Sequence, residues 1–558
     1  MCGIWAVFGI ENADVTKCEC AFGKLRHRGP DATRFQRENA LPNAFLGFHR
    51  LSIVSTPFGI QPLRIYQYPN TLLLCNGELY NFKELGKEYD LKYETGSDVE
   101  CVIHLYHKFG IEKCAQQLDG VFAFCLVDLE TQCFYIARDP YGVRPIFRLV
   151  TSEGIIGIAS EAKGLIDLTK NLNGTKWYIE QFSPASVAKY QLTENGRAQL
   201  IEEKRFYQMG MRPFFKPWIS YDVLTDDISA NIRNLLTAAV EKRLMSNRRI
   251  GCLLSGGLDS SLISALLVKL SREKKLPYKV QSFSVGLGED SPDLVAAREV
   301  AKFIGSEHYE VMFTENDIIT VLDDVIYTLE TCDITTIRAS ICMFLIAKFI
   351  KENTNTTVIF SGEGADEVAQ GYIYFKNAPT PEEGSADSRR LLSEIYLYDG
   401  LRADRTTAAH CLELRVPFLD QQFTNYFLNL PTEIRCPRDG NMEKYLIRAA
   451  FDDCNLLPKN ILWRHKEAFS DGVAHAKRSL FNMVQDWVED KVSDEELANA
   501  SIDYPHLTPV TKESYYYRKV FEKHYPGQAA KLVPKYWMPK WTDVKDPSAR
   551  FIAHYAAS

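Results

Sequence analysis

No stretch of the 558 residues approaches the ~20 consecutive apolar positions that a membrane span needs. The best candidates, around Leu262–Leu270 and Ile341–Ile350, have only the length of core helices. The start of the chain lacks the basic leader of a secretory signal, since its apolar run stops at Glu11 and Asp14 follows. Cysteine is present fourteen times, yet never at Cys-x-x-Cys spacing, so a structural zinc site has no support. With no export signal, those scattered cysteines are expected to stay reduced. Positive charge is in deficit: the net charge of −7 argues against a sequence-independent grip on nucleic acid. Pairs such as Arg248-Arg249 and Arg389-Arg390 then read as solvated surface. These absences predict a cytoplasmic protein that works on small molecules, with neither a nucleic acid nor a membrane as partner.

What is present is ordinary globular material, 46% hydrophobic and 25% charged, long enough for about 2–4 domains. Cys101, His104 and His107 stand at successive i, i+3 positions, and the spacing predicts a partly buried helix face rather than a metal site. Cys2 is the most informative single residue. Removal of Met1 is favoured when a small residue follows, which would leave a thiol and an α-amine on one residue. The amine titrates near neutrality (~7.7–8) and can accept the thiol proton without a separate histidine.

The texture of the chain changes part-way. The first ~200 residues carry short apolar or alternating runs, at Ile4–Ile10, Phe45–Val54, Thr71–Leu74, Phe122–Val127, Phe134–Ala137 and Ile155–Ala159. Helices are expected over Asp98–Phe109 and Ile111–Leu118. From about Asp226 the pattern becomes helix Ile228–Met245, strand Arg249–Leu254, helix Ser260–Leu270, strand Tyr278–Val285, helix Pro292–Ile304 and strand Val358–Phe360. Such alternation predicts a parallel α/β sheet with crossover helices. Met209–Tyr221, with Pro213 and Pro217, is the expected linker. The domains are set at 1–205 and 211–535, followed by a C-terminal tail, 536–558.

Within the second half, Leu254-Ser255-Gly256-Gly257-Leu258-Asp259-Ser260-Ser261 joins a buried strand to an amphipathic helix. Two glycines let the backbone approach an anion, and N–H groups at the helix start point towards it. Serine hydroxyls add donors, and Asp259 can hold a magnesium ion that bridges phosphate oxygens. The loop lacks the lysine of Gly-x-x-x-x-Gly-Lys-Ser/Thr. It resembles instead the pyrophosphate loop of enzymes that cleave ATP between its α and β phosphates. A second turn, Ser361-Gly362-Glu363-Gly364-Ala365-Asp366-Glu367, follows another buried strand and is expected to face the same crevice. Glu363 is a candidate base and Asp366 a second magnesium ligand; alternatively, the carboxylates cap a helix start. Lys466 is a candidate cation for a transferring phosphate group.

Taken together, these motifs resemble glutamine-hydrolysing asparagine synthetases of the animal type along nearly the whole chain. The first half is similar to class II amidotransferases through Cys2, His27-Arg28-Gly29-Pro30-Asp31, His49-Arg50-Leu51-Ser52-Ile53, Asn76-Gly77-Glu78-Leu79-Tyr80-Asn81 and Gly96-Ser97-Asp98. The second half is similar to the synthetase domain through the two glycine turns, Thr335–Ser340, Leu412–Asp420 and the Lys466 segment. The resemblance implies two folds. The N-terminal domain would be an α+β, four-layer αββα sandwich of the N-terminal-nucleophile hydrolases. The C-terminal domain would be an α/β adenine-nucleotide-hydrolase-like fold with a parallel sheet. It also implies a reaction in which aspartate, ATP, glutamine and water give asparagine, AMP, pyrophosphate and glutamate, with Mg2+ as cofactor and a homodimer as the assembly.

By the same resemblance, Cys2 forms a γ-glutamyl thioester, and Asn76 with Gly77 supplies the oxyanion hole. Arg50, Leu51, Ser52, Ile53, Val54, Glu78 and Asp98 hold glutamine, Arg50 at its carboxylate and Asp98 at its ammonium. Leu253, Ser255, Gly256, Gly257, Asp259, Ser260, Val285, Ser361 and Gly362 hold ATP. Aspartate attacks the α-phosphorus, and ammonia then displaces AMP from the acyl-adenylate with Glu363 as proton acceptor and Lys466 offsetting phosphate charge. Arg338, Arg402 and Arg415 are all candidates for the aspartate α-carboxylate. Family members carry ammonia between their sites through an internal tunnel, whose residues the sequence does not name.

Two departures occur: Ala365 stands where serine is common, and His465 precedes Lys466 where other residues are usual. Neither removes a group with an assigned role. The rival readings are an amidotransferase or adenylating amide synthetase with another acceptor, and a non-catalytic binding protein on the same fold. The Ser-Gly-Gly-Leu-Asp-Ser turn counts against sugar-phosphate and phosphoribosyl types, and the intact Cys2, Arg50, Asn76 and Asp98 against a self-cyclising synthetase or an eroded scaffold.

Overall fold

In the computed structural model of the chain, residues 1–10, 15–54, 59–172, 174–215, 227–437, 442–465 and 480–543 are described. The chain divides into two compact units. The first comprises Met1–Trp218, Ala408–Cys411 and His524–Pro534; the second comprises Ile219–Thr407, Leu412–Lys523 and Lys535–Ser558.

In the first unit the strands are β1 (Gly3–Phe8), β2 (Ala32–Arg37), β3 (Ala44–Arg50), β4 (Thr71–Leu79), β5 (Gly120–Asp128) and β6 (Cys133–Arg138). They continue with β7 (Phe147–Thr151), β8 (Ile156–Ala159), β9 (Trp177–Gln181), β10 (Ser186–Leu192) and β11 (Ala198–Arg205). Two sheets form, ordered β2-β3-β1-β8-β7-β9 and β11-β10-β6-β5-β4. Side chains of a strand alternate between its faces. Ile4, Ala6 and Phe8 of β1 therefore share one face, and they pack with Leu72 and Leu74 of β4 and with Phe134 and Ile136 of β6 in one core cluster. The Phe8 and Phe134 rings stack at 4.2 Å. Trp5, on the opposite face of β1, packs against Phe22 and Phe35. The sheet pairings are antiparallel throughout this unit.

The second unit holds β12 (Arg249–Leu253), β13 (Gln281–Gly286), β14 (Glu307–Met312), β15 (Thr356–Phe360) and β16 (Glu413–Arg415). They form the expected parallel sheet, ordered β14-β13-β12-β15-β16. Helix Pro292–Ile304 has the bounds expected from its punctuation, with proline in its first turn and Gly305 in the left-handed region (φ +71°) just beyond its end. The edge strand β14, Glu-His-Tyr-Glu-Val-Met, was not anticipated, because its charged residues mask the apolar signal that the inner strands carry. Helix Ile334–Asn353 extends well beyond the apolar run at 341–350, starting from the cap that Asp333 provides. Of the expected linker, residues 209–215 are described and 216–221 lie outside the described residues.

Candidate active sites

The first site grows out of the pleat. Cys2 extends the inward row of Ile4, Ala6 and Phe8, and Asn76 extends the row of Leu72 and Leu74, so the two meet where the sandwich core ends. The Cys2 backbone N–H donates to Asn76 Oδ1 at 2.8 Å. Asn76 is fully buried, and its Nδ2 has no hydrogen-bond partner among the described residues. A buried donor left unmade is costly and marks a place where a ligand oxygen would be welcome. The register that sets Gly3 opposite His49 brings Cys2 beside Arg50 as the strands separate. Cys2 Sγ lies 3.7 Å from the Leu51 carbonyl oxygen, Ser52 N–H donates to Asp31 at 2.8 Å, and Ile53 is buried. Val54 is the last residue before an undescribed gap. Asp98, buried, accepts the Leu79 N–H at 2.8 Å, and Glu78 is buried two residues from Asn76.

Behind Cys2 stands a charged group to which the sequence reading gave no role. Arg28 Nε donates to the Cys2 carbonyl at 3.1 Å, and its Nη1 pairs with Glu161 at 2.6 Å. Glu161 also takes Lys163 at 2.5 Å and His27 at 3.1 Å. This network fixes the Cys2 backbone, and the quoted His27-Arg28 motif was its only signal. The neighbouring thiol of Cys75 is fully buried, and burial together with the nearby Asp98, Cys2 and Glu78 pushes it well above the ordinary thiol range. Cys75 is therefore inert, whereas Cys2 is partly exposed.

The second site is a cavity of about 330 Å³ at the carboxyl ends of β12, β13 and β15. Gly256 has φ +77°, and a Cβ there would come within 2.5 Å of Ala296 Cβ, so only glycine lets the turn lie against helix Pro292–Ile304. A Cβ on Gly362 would stand 2.8 Å from the Ser260 nitrogen. The second turn can thus abut the first, and the expected shared crevice forms. Ser255 and Ser260 hydroxyls are 2.9 Å apart at the start of helix Leu258–Glu273. Leu253, Ser255, Gly257, Asp259, Ser260, Val285, Ser361, Gly362, Glu363 and Asp366 all line the cavity. Gly256 faces the neighbouring helix instead, and Lys466 lies outside the described residues.

Lys444 was missed from sequence. Its ammonium pairs with Asp259 Oδ2 and lies 2.7 Å from Asp366 Oδ1. Among the described residues, Asp259 Oδ1 remains buried without a hydrogen-bond partner. These two carboxylates, one with an orphaned oxygen, are hard oxygen donors of the kind that would hold a magnesium ion. Among the candidate arginines, Arg415 is buried against Glu413 at 2.8 Å and the Arg243 carbonyl, outside the cavity wall. Arg338 lines the cavity, but Glu513 holds it at both ends of its fork, 2.7 and 2.5 Å away. Arg402 pairs with Glu363 at 2.9 Å and Asp399 at 2.8 Å, and its Nε is buried with no partner among the described residues. Tyr372 Oη stands 2.6 Å from Glu367 and 2.8 Å from Asp399. Burial raises the Glu363 carboxyl to about 7, with Arg402 opposing that shift and Asp399 adding to it.

The model described as asparagine synthase matches residues 231–388 and 378–544, and the one described as glutamine amidotransferase domain matches 1–194. Curated relatives named asparagine synthetase [glutamine-hydrolyzing], from Gallus gallus, Rattus norvegicus and Homo sapiens, are each 50% identical over 563 residues, covering all of both chains. The chain belongs to the glutamine-hydrolysing asparagine synthetases. The glutamine amidotransferase match covers the strands around Cys2 and Asn76, and the asparagine synthase match covers the parallel sheet beneath the cavity. Lys444, Tyr372 and Asp399 join the cavity lining beyond what the motifs singled out, beside Thr335 of the Thr335–Ser340 motif.

Proposed function

We propose that the chain makes L-asparagine from L-aspartate, ATP and glutamine, with the amide released at Cys2 and the adenylate formed over the Ser255–Ser260 turn. The observation that carries the amidotransferase half is the orphaned Asn76 Nδ2 beside Cys2. The α-amine of mature Cys2 takes the thiol proton, Sγ attacks the glutamine side-chain carbonyl, and Asn76 Nδ2 with the Gly77 N–H meets the oxyanion. Ammonia leaves, and water releases glutamate from the thioester. Arg50 pairs with the substrate carboxylate and Asp98 with its ammonium, while Leu51, Ser52, Ile53, Val54 and Glu78 complete the pocket.

In the synthetase half, Leu253 and Val285 flank the adenosine, and Ser255, Gly256, Gly257, Ser260, Ser361 and Gly362 cradle phosphates. The aspartate side-chain carboxylate attacks the α-phosphorus and pyrophosphate leaves. Arg402, with its unpaired Nε, is the first choice of cation for the aspartate α-carboxylate. Glu363, poised near neutrality, accepts the proton as ammonia displaces AMP. Lys466 is proposed as a cation at the phosphate. Asp259 and Asp366 would hold Mg2+, which supplies charge neutralisation at phosphate oxygens when bound.

A cytoplasmic placement is also proposed, supported by buried thiols without disulfides such as Cys101, Cys125 and Cys342. Among the described residues no helix is long and apolar enough to cross a membrane. The homodimer rests on the family alone, and light scattering on purified protein tests it. The catalytic reading is tested by measuring asparagine and AMP from aspartate and ATP-magnesium, with glutamine or with ammonium salt, for the intact chain and Cys2→Ala. Loss with glutamine alone supports it. An intact chain that hydrolyses glutamine but makes no asparagine from either source rejects the acceptor.

A further inference from the structure

Helix Ile334–Asn353 runs along the synthetase cavity and divides it chemically. Met343 and Ile346, with Phe283 and Val285, form an apolar end. Thr335 lies eight residues before Met343, roughly 12 Å away along a helix rising 1.5 Å per residue. That other end is polar and is lined by Thr335, Glu367, Tyr372, Asp399, Arg402 and one residue from far along the chain, Trp537. The apolar end suits adenine and the phosphate turn lies at the cavity's base, so the polar end is left for the amino acid.

Trp537 sits in the segment that sequence reading set apart as a tail. Its described part, through residue 543, is pinned at several points. Trp537 N–H donates to Asp333 Oδ2 at 2.8 Å, and Asp333 Oδ1 caps the helix by accepting the Thr336 N–H at 2.8 Å. Tyr536 Oη donates to the Leu507 carbonyl at 3.2 Å, and Lys540 pairs with Asp387 at 2.8 Å. The Trp537 indole packs on the Tyr372 ring, with centroids 5.4 Å apart. From Tyr372 the contacts continue through Asp399 at 2.8 Å and Arg402 at 2.8 Å to Glu363 at 2.9 Å. The aromatic face therefore holds one end of a chain of hydrogen bonds whose other end is the proposed base. Trp541, by contrast, packs on Tyr374 and Phe375 at 5.9 and 6.3 Å and does not line the cavity.

We propose that Trp537 is a wall of the synthetase site, closing its amino-acid end and positioning Tyr372, Asp399 and Arg402. The inference rests on the synthetase reading above. It is tested in the full chain with Trp537→Ala, Trp537→Phe and Trp541→Ala, by ammonia-driven synthesis at varied aspartate and ATP, glutamine hydrolysis and thermal unfolding. Trp537→Ala should raise the aspartate KM about tenfold or more and leave the ATP KM within about twofold. Glutaminase activity should be unchanged, and Trp537→Phe, which keeps an aromatic face against Tyr372, should recover most of the loss. Trp541→Ala should leave the aspartate KM in place. An unaltered aspartate KM in Trp537→Ala overturns the proposal. So does an equal change in Trp541→Ala, or, if Trp537→Ala does not fold, an aspartate KM that stays at the value of the intact chain in Trp537→Leu, which keeps bulk without the aromatic face. An intact chain that makes no asparagine would instead overturn the synthetase reading itself.

Discussion

The ammonium of Lys444 lies 2.7 Å from Oδ1 of Asp366, buried between that carboxylate and Asp259. Lys444 adopts a left-handed backbone (φ 59°) immediately before helix Tyr445–Phe451, a conformation that directs it into the cavity where both carboxylates converge. Without a cation there, two acids would face each other in a poorly hydrated space. Removing one partner of a buried pair costs about 3 kcal/mol or more. Lys444→Met is expected to lower the melting temperature and to reduce ammonia-driven synthesis more than about tenfold, since a charge near the phosphates is lost. Glutamine hydrolysis should persist; its loss would mean the substitution unfolds more than this site.

Asn76 predicts a second separation of activities. Asn76→Ala removes the orphaned donor, and loss of one oxyanion donor costs about 10²–10³-fold in turnover. Glutamine-driven asparagine should fall by that factor while ammonia-driven synthesis stays at the level of the intact chain. Steady-state rates with each nitrogen source decide it.

The Glu363 carboxyl sets a pH dependence. Burial disfavours its charged form, Asp399 adds to that, and Arg402 works the other way, leaving it near 7. Only the ionised form can accept a proton, so ammonia-driven synthesis, compared at constant free ammonia, should rise as pH passes upward through about 7. Glu363→Gln should be slow at every pH and flat across that range. A profile in Glu363→Gln that keeps the neutral inflection would assign the titration to another group.

Close packing of the two turns makes Gly362 intolerant of a side chain. Its Cβ would approach the Ser260 nitrogen and Asp259 carbonyl carbon at 2.8 and 2.9 Å, both backbone atoms that cannot swing away. Gly362→Ala must separate the turns, and misplacement of this order costs about 10²-fold in rate. Pyrophosphate release from ATP and aspartate should drop accordingly, with glutaminase unaffected.

How much of this was legible beforehand follows from how local each signal is. The Ser-Gly-Gly-Leu-Asp-Ser turn needs only a strand, two glycines and a helix start within a few residues, and the chain writes them consecutively. The row Cys2, Ile4, Ala6, Phe8 likewise encodes its own facing, because a strand alternates whatever surrounds it. The inward row that ends at Cys2, the turn between strand and helix, the parallel sheet and the family were therefore readable from one dimension. The counter-ion at the turn was not: Lys444 is 185 positions from Asp259, in a stretch whose composition resembles any surface helix. Trp537 meets Asp333 across 204 positions, and nothing near it separates a cavity wall from an aromatic tail. Ranking Arg338, Arg402 and Arg415 needed their partners, since three arginines are chemically identical until Glu513, Glu363 and Glu413 claim them. Contacts of that kind are chosen by how the sheet and its helices pack in space, where burial decides which charges must find each other.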